Sequence, residues 1–495
     1  MDETELRAPR RRRTKIVATL GPATDKPAVL EELLRAGADV LRINFSHGDA
    51  DEQRERVATV RETAKRIGQN VAIMGDLQGP KIRIESFAAG FVSLVQGQPF
   101  VLDTDMDPLA GNDEAVGVAY RKLVKDVAPG DVLLLDDGQI VLEVAEVNAS
   151  RVHCVVRIGG ELADHKGLNK QGGGLSAPAL TGKDRADIKL AAELGLDFVS
   201  VSFARSAEDI EEARELLRAA NGHAHIVAKI ERAEAVQNIT AIIDASDVIM
   251  VARGDLAVEV GYAALTGLQK GLIRRTRMRN KVSITATQML ESMINHASPT
   301  RAEVSDVANA VMDGTDAVML SAETAVGKYP VQAVRTMSEV CVGAEKHESF
   351  RRATNYRLED VFERVDEAIA MAAMYIANHL RVKAIITLTE SGATTLWMSR
   401  VRSDIPIYAF TRHEATRNRV RLYRGVYPAP FDIVHTQADT VHLEAFEVLR
   451  EEGVIASGDL VLFTTGEMRG VQGQTNTLQI IEVPQQQGAA EGDLG

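Results

Sequence analysis

Short apolar, β-branched runs alternate with amphipathic helical stretches along most of this chain, and no other feature narrows its fold as far. Residues 15–20 form the first run, stopped by Gly21-Pro22 and followed by a helical pattern over 27–36 that ends at Gly37. The second run, 39–44, precedes a charged helical stretch over 49–67, and the third, 71–74, ends at Gly75-Asp76. The alternation resumes at 198–202, 226–230, 248–251, 282–285 and 317–320, with helical stretches such as 207–220 and 262–279 between the runs. Three runs before the break and five after it make eight. Eight βα units closing on themselves form an α/β TIM (β/α)8 barrel.

Between 91 and 160 the pattern changes to period-2 alternation with hairpin punctuation, as in 132–135, the turn Asp136-Asp137-Gly138, 140–147 and 152–158. This predicts a small antiparallel β domain inserted after the third barrel strand, at the rim where such barrels place their chemistry. Residues 166–174, with four glycines, read as a mobile return linker. A second α/β unit follows, with a helix over 366–380 and strands at 384–389, 407–410, 460–464 and 478–483. The expected boundaries are 14–78 and 176–350 for the barrel, 79–175 for the insertion and 351–484 for the C-terminal unit, flanked by a solvated basic tail, 1–13, and a disordered tail, 485–495. At roughly 150 residues per domain, a chain of 495 residues suits this count.

Composition excludes several functions. The net charge of −13 is the wrong sign for a general binder of nucleic acid or anionic membrane. The longest apolar stretch, near 368–377, is about half a membrane span. Two cysteines, Cys154 and Cys341, rule out a disulfide scaffold and a Cys-based zinc site, and they suit a reducing cytoplasm. The run from Arg10 to Arg13 reads first as solvated chain and second as a polyanion contact.

A barrel predicts functional residues just after its strands. The sequence places Arg42, Asn44, Ser46 and His47 after the second run, and Asp76, Lys81 and Arg83 after the third. Ser202 follows the fourth, Lys229 and Glu231 lie on the fifth, Arg253-Gly254-Asp255 follows the sixth, Thr287-Gln288 the seventh, and Ser321 and Glu323 the eighth. Lys229 and Glu231 are two apart on a strand and so share a side. They read either as an ion pair that holds the rim or as a cation for a phosphoryl group beside a metal-binding carboxylate. Glu231 and Asp255 together supply the one or two carboxylates that Mg2+ needs besides substrate oxygens. Arg42 and Arg83 suit phosphate through their forked guanidiniums, or pair with Asp76 or other rim acids. Thr287 reads as a helix cap or a site hydroxyl, and His47 as structural or titrating. No P-loop and no protein-kinase signature set is present.

From about Thr14 to Val483 the sequence closely resembles the pyruvate kinase family. The resemblance rests on Lys15-Ile-Val-Ala-Thr-Leu-Gly-Pro-Ala-Thr24, Arg42-Ile-Asn-Phe-Ser-His-Gly48, Gly79-Pro-Lys-Ile-Arg83, Ala228-Lys-Ile-Glu231, Val251-Ala-Arg-Gly-Asp-Leu256 and Ala286-Thr-Gln-Met-Leu-Glu-Ser-Met293. The runs Pro299-Thr-Arg-Ala-Glu303 and Leu320-Ser-Ala-Glu-Thr324 complete it. It implies glycolytic phosphoryl transfer from phosphoenolpyruvate to ADP, giving pyruvate and ATP, with Mg2+ or Mn2+. It also implies a homotetramer, while charge and cysteine usage lead to the expectation of a cytoplasmic location and no nucleic-acid or membrane partner.

By that resemblance, Lys229 neutralises the moving phosphoryl group, Arg42 holds it, and Glu231 and Asp255 bind the metal. Backbone N–H groups of Ala252, Arg253, Gly254 and Asp255 take the substrate carboxylate, and Thr287 positions the proton donor. Asn44, His47, Arg83 and Lys166 contact nucleotide phosphates, and the inserted small β-barrel is a lid hinged at its glycines. Asn44, Ser46, Asp76, Leu77 and Lys81 stand at the monovalent-cation site. Leu77, Gln78 and Lys81 depart from the potassium-dependent pattern, so K+ is expected to be dispensable, an ammonium supplying its charge. The C-terminal α/β unit is then an effector domain. In it Thr389, Glu390, Ser391, Gly392, Ala393 and Thr394 cradle a phosphosugar or nucleotide effector. The rival reading is another metal-dependent barrel enzyme acting on phosphoenolpyruvate or pyruvate, an aldolase or lyase.

Overall fold

The computed structural model describes residues 12–346, 361–432, 440–466 and 473–485. Eight parallel strands close into a barrel in which each strand neighbours the next in chain order and the eighth neighbours the first. They are Lys15–Thr19, Val40–Asn44, Ala72–Asp76, Phe198–Val201, His225–Ile230, Val248–Ala252, Val282–Ala286 and Ala317–Leu320. Most of their residues are buried on both faces, which is why they read as continuous apolar runs rather than alternating ones. Helices such as Ala207–Ala219 and Tyr262–Met278 return the chain between strands.

Two compact units divide the described chain. One draws on Arg42–Glu55 and Met74–Gln288. It holds barrel strands four to seven and the β-rich insertion, whose six-stranded sheet runs in the order Leu168–Lys170, Val132–Leu135, Ile140–Asn148, Arg151–Ile158, Pro99–Asp103, Ala115–Gly117. A core including Phe100, Leu102, Leu133, Leu142 and Val156 fills it. A pair of strands, Phe91–Leu94 and Gly160–Ala163, forms a second small sheet. The return stretch, expected as a linker, is a strand over Leu168–Lys170 paired antiparallel with Leu133–Leu135. Its three-residue length falls below what alternation detects.

The other unit draws on residues up to Leu41, Arg56–Ile73 and the chain from Met289 onward. It holds the first and eighth barrel strands and a five-stranded sheet in the order Val426–Pro430, Ile407–Thr411, Ala384–Leu388, Leu460–Gly466, Thr475–Glu482. The last strand is antiparallel. Val426–Pro430 is absent from the sequence expectation because Pro428 and Pro430 argue against a strand. It is an edge strand, where proline is tolerated.

Arg12 and Arg13, expected in a solvated tail, are pinned instead. The Arg12 guanidinium donates to Asp39 Oδ2 at 2.9 Å and to Ser338 Oγ at 3.2 Å. Arg13 donates its backbone N–H to Glu345 Oε2 at 3.0 Å and its guanidinium to Ser403 O at 2.7 Å. The acids that pair with these cations lie far along the chain, so a local charge run gives no sign of them. Residues 1–11 and 486–495 of the expected tails lie outside the described residues.

Candidate active site

The C-terminal ends of neighbouring strands gather the charged residues. Lys229 Nζ lies 3.0 Å from Glu231 Oε1 and 3.4 Å from Asp76 Oδ1, and it donates to Ser202 Oγ at 2.8 Å. Ser202 Oγ in turn donates to Leu77 O at 2.7 Å. Arg42 donates through Nε to Asp76 Oδ2 at 2.7 Å. The Asp76 side chain is 1% exposed. Burial pushes its carboxyl up, but the charges of Arg42 and Lys229 and their hydrogen bonds outweigh this and hold it below the ordinary carboxylate range. Burial likewise pulls the Lys229 ammonium down, and Asp76 and Glu231 hold it above its ordinary value. The cation at this rim is therefore a charged one.

Glu231 accepts the Phe203 N–H at 2.8 Å. Its carboxyl is raised, first by burial and then by the negative charge of Asp255, against the pull of Lys229. Two carboxylates that crowd each other form an oxygen donor set that a dication relieves, so the residues present fit Mg2+. They stand as a pair: among the described residues no group of three or more metal-ligating side chains is gathered.

Asp255 sits in the first turn of the helix Arg253–Val260, which follows the sixth strand directly from Ala252. The helix start brings the N–H groups of Arg253, Gly254 and Asp255 to the rim. The Arg253 guanidinium points elsewhere: it is buried and donates to Ala286 O at 3.2 Å and Thr287 O at 2.7 Å. A Cβ on Gly254 would lie 3.0 Å from Thr287 Cγ2, so glycine lets the helix start approach that residue. Thr287 and Gln288 both adopt left-handed backbone, with φ of 75° and 55°. For a β-branched residue this is strain of the kind that collects at functional sites. Lys81 Nζ lies 3.2 Å from Asp255 Oδ1 and 3.8 Å from Asp137 Oδ1.

The remaining expected residues are placed as follows. Asn44 Oδ1 accepts the Ser46 N–H at 3.1 Å, and Ser46 and His47 are exposed. Leu77 is buried. Arg83 is exposed and donates to His165 O at 2.9 Å, so it does not pair with Asp76. Arg83 and Lys166 lie on adjoining segments at the root of the insertion, where Ile84 N donates to Lys166 O. Lys166 pairs with Asp136 at 2.9 Å. Glu323, at the eighth strand, is buried and accepts the N–H groups of Leu290 and Ser321, a local brace.

In the C-terminal sheet unit the loop after Ala384–Leu388 turns at Gly392, φ 84°, into the short helix Ala393–Ser399. Thr389 Oγ1 accepts the Gly392 N–H at 2.9 Å, and Ser391 Oγ accepts that of Ala393 at 3.4 Å. Thr394 Oγ1 bonds Thr475 Oγ1 at 2.9 Å. Glu390 is buried between His413 and Arg412.

Sequence reasoning missed the way Ser202 seats the lysine and the N–H that Phe203 gives to Glu231. The only local signal was their position at the end of the fourth strand.

A closed parallel barrel whose C-terminal rim holds a half-buried ammonium, a guanidinium and a pair of acids defines a (β/α)8-barrel enzyme for an anionic substrate. Two family models match the chain: the barrel domain of pyruvate kinase over residues 11–334 and its alpha/beta domain over residues 367–481. The chain is 54% identical over 478 residues to pyruvate kinase II of Salmonella typhimurium, covering 96% of this chain and 99% of that one. It is 52% identical to a pyruvate kinase of Haemophilus influenzae, over 94% of this chain and 98% of that one. A Geobacillus stearothermophilus pyruvate kinase shares 42% identity over 95% of this chain and 80% of its own length. The chain belongs to the pyruvate kinase family and is a phosphotransferase. Among the described residues no helix is long and apolar enough to cross a membrane.

Proposed function

We propose that the chain transfers the phosphoryl group of phosphoenolpyruvate to ADP, giving pyruvate and ATP in glycolysis, with Mg2+ held by Glu231 and Asp255. The observation that carries the reading is the Lys229 ammonium, kept charged between Asp76 and Glu231 at the rim. Phosphoryl transfer is mostly positioning and charge neutralisation. A terminal phosphate oxygen of ADP forms the new P–O bond while the enol P–O bond breaks. Lys229 and Arg42 neutralise the phosphoryl oxygens in flight. N–H groups from Ala252 to Asp255 hold the carboxylate, and Thr287 positions the donor that protonates the enolate carbon. The dication, when bound, adds charge neutralisation for substrate oxygens. The inserted β domain acts as a lid that keeps water from competing with ADP, and Asn44, His47, Arg83 and Lys166 meet the nucleotide phosphates.

A coupled assay for ATP from phosphoenolpyruvate and ADP tests this. Lys229→Met is expected to abolish transfer with the fold intact, and chelation of divalent metal to do the same. Near-normal turnover of Lys229→Met, or aldol or lyase products in place of ATP, overturns the reading.

The position of Lys81 against Asp255 supports K+-independent catalysis, an ammonium standing in for the monovalent ion. Rates in buffer free of Na+ and K+ are expected to match those after K+ is added, and a strong rise on adding K+ refutes the idea. The hydroxyl-bearing loop of Thr389 to Thr394 supports an effector site for a phosphosugar or nucleotide, and the family likeness supports a homotetramer. Titrating phosphoenolpyruvate with a panel of sugar phosphates and AMP tests the effector, and sedimentation tests the assembly.

A further inference from the structure

The return stretch of the insertion is built from glycine backbone that holds itself poorly. Gly172, Gly173 and Gly174 all have positive φ, at 81°, 83° and 100°, a run that only glycine adopts at low cost. Something outside the run must fix it.

Three residues do so, Arg232 and Glu234 by their side chains and Glu259 by its backbone carbonyl, and none is in the catalytic set. Arg232 Nη2 donates to Leu175 O at 2.6 Å, and Glu234 Oε1 accepts the Gly174 N–H at 2.5 Å. The two also join each other, Arg232 Nη2 to Glu234 Oε1 at 3.1 Å. Glu259 accepts the Ala233 N–H at 2.8 Å through its side chain, and it takes the Gly172 N–H at 2.9 Å through its backbone carbonyl. Asn169, on the returning strand, hydrogen-bonds the same carboxyl.

These side chains come from informative places. Arg232 and Glu234 lie one and three residues after Glu231, and Glu259 lies in the helix that carries Asp255 in its first turn. Each acid expected to bind metal thus sits on an element that extends a few residues to grip the same short stretch of backbone. A Cβ on Gly173 would meet Glu234 Oε2 at 2.6 Å, so the grip also needs glycine there. Arg232 and Glu259 border a cavity of about 20 Å3, room for one water.

We infer that Arg232, Glu234 and Glu259 are positioning residues for phosphoryl transfer: they clasp the lid's return stretch to the two acid-bearing elements and so set how completely the site closes against water. The inference rests on the function proposed above. The clasp also has a proton dependence. Burial, against the Ala233 N–H bond and the charge of Arg232, raises the Glu259 carboxyl to about 7. The charged groups acting on it are Arg232 and Glu234, and Lys81 lines the same cavity. A released Glu259 in water returns toward the ordinary glutamate value near 4.3. The clasped state therefore binds the proton more tightly, and raising the pH through about 7 favours release.

The test uses the full chain with Mg2+ and phosphoenolpyruvate, with and without ADP, between about pH 6 and about pH 8.5, around the neutral midpoint. It reads ATP formed and, without ADP, phosphate released as water takes the phosphoryl group and leaves pyruvate. Glu234→Ala and Gly173→Ala are expected to raise the ratio of phosphate release to ATP formation about tenfold, the loss of one charge-assisted bond. Their KM for ADP should rise while that for phosphoenolpyruvate holds. In the wild type the ratio should climb with pH through neutrality, and in Glu259→Gln it should be flat. Glu234 is 26% exposed, so its variant is expected to fold even if a buried one does not. Wild-type turnover with an unchanged ratio, pH profile and KM split in these variants overturns the inference alone. A wild type that makes no ATP overturns the reading beneath it.

Discussion

Ser202 is the residue on which the position of the Lys229 ammonium turns. Its hydroxyl accepts from Lys229 and donates to Leu77 O, and it is 1% exposed, so no water replaces it. Hydrogen bonds to charged groups contribute roughly 1.5–3 kcal/mol. Ser202→Ala is therefore expected to lower kcat about 10- to 150-fold with little change in KM for phosphoenolpyruvate, while Ser202→Thr keeps most activity. Steady-state kinetics on the two variants decide this, and equal losses in both remove the hydroxyl's role. Lys229 and Glu231 were legible as partners because the strand period puts i and i+2 on one side. Ser202 was not, because its partner is 27 residues away on the next strand. Of the two guanidiniums read as suited either to phosphate or to a rim acid, Arg42 meets Asp76 and Arg83 meets His165 O, a choice that the order of strand ends along the chain does not reveal.

At the level of elements, the chain re-enters the barrel through the helix Gly182–Glu193, and its start is tied to the insertion's root. Thr181 caps it by accepting the Asp184 N–H at 3.1 Å, and Asp184 closes a capping box by accepting the Thr181 N–H at 2.8 Å. Asp184 also accepts the Gly79 N–H at 3.0 Å, where the chain leaves for the insertion. Thr181→Ala is expected to cost about 1 kcal/mol, within the usual range of about 0.5–2 kcal/mol for such caps. Thermal unfolding with and without bound substrate measures it, and an unchanged midpoint counts against the cap. Barrel strands and their helices were readable because buried parallel strands are continuous apolar runs between amphipathic stretches. The strand Leu168–Lys170 was hidden by its three-residue length and Val426–Pro430 by its prolines, whose local meaning a sheet neighbour overrides.

For the molecule as a whole, the telling feature is a buried ionic seam in the unit that holds the first and eighth barrel strands and the C-terminal sheet. Arg400 donates through Nη1 to Asp316 Oδ2 at 2.9 Å, with side chains 1% and 3% exposed. Arg424 N also donates to Asp316, at 3.3 Å. Asp316→Ala leaves buried guanidinium charge uncompensated and is expected to cost about 3–5 kcal/mol; a denaturation midpoint equal to the wild type's would show the seam to be dispensable. Lys15 donates to Val426 O at 2.6 Å, and burial, ahead of Asp39 and the nearby arginines, lowers its ammonium to about 7. The unfolded value is near 10.4, so the folded state binds fewer protons between the two. Stability from this site rises as pH climbs from about 7 and is lost as pH falls through it, by at most about 1.4 kcal/mol per pH unit. Lys15→Met is expected to flatten that slope in unfolding curves taken across the window, and an unaltered slope would assign it elsewhere. The sequence by itself determined the barrel, the insertion after its third strand, the C-terminal α/β unit and the family, because periodic burial and contiguous motifs are local in the chain. The closed fold was needed to show which cations meet acids on other strands, that Arg12 and Arg13 are pinned and what grips the glycine stretch. Those depend on distances between residues tens to hundreds of positions apart, and only the closed fold brings such groups within the few ångströms at which charge and hydrogen bonding act.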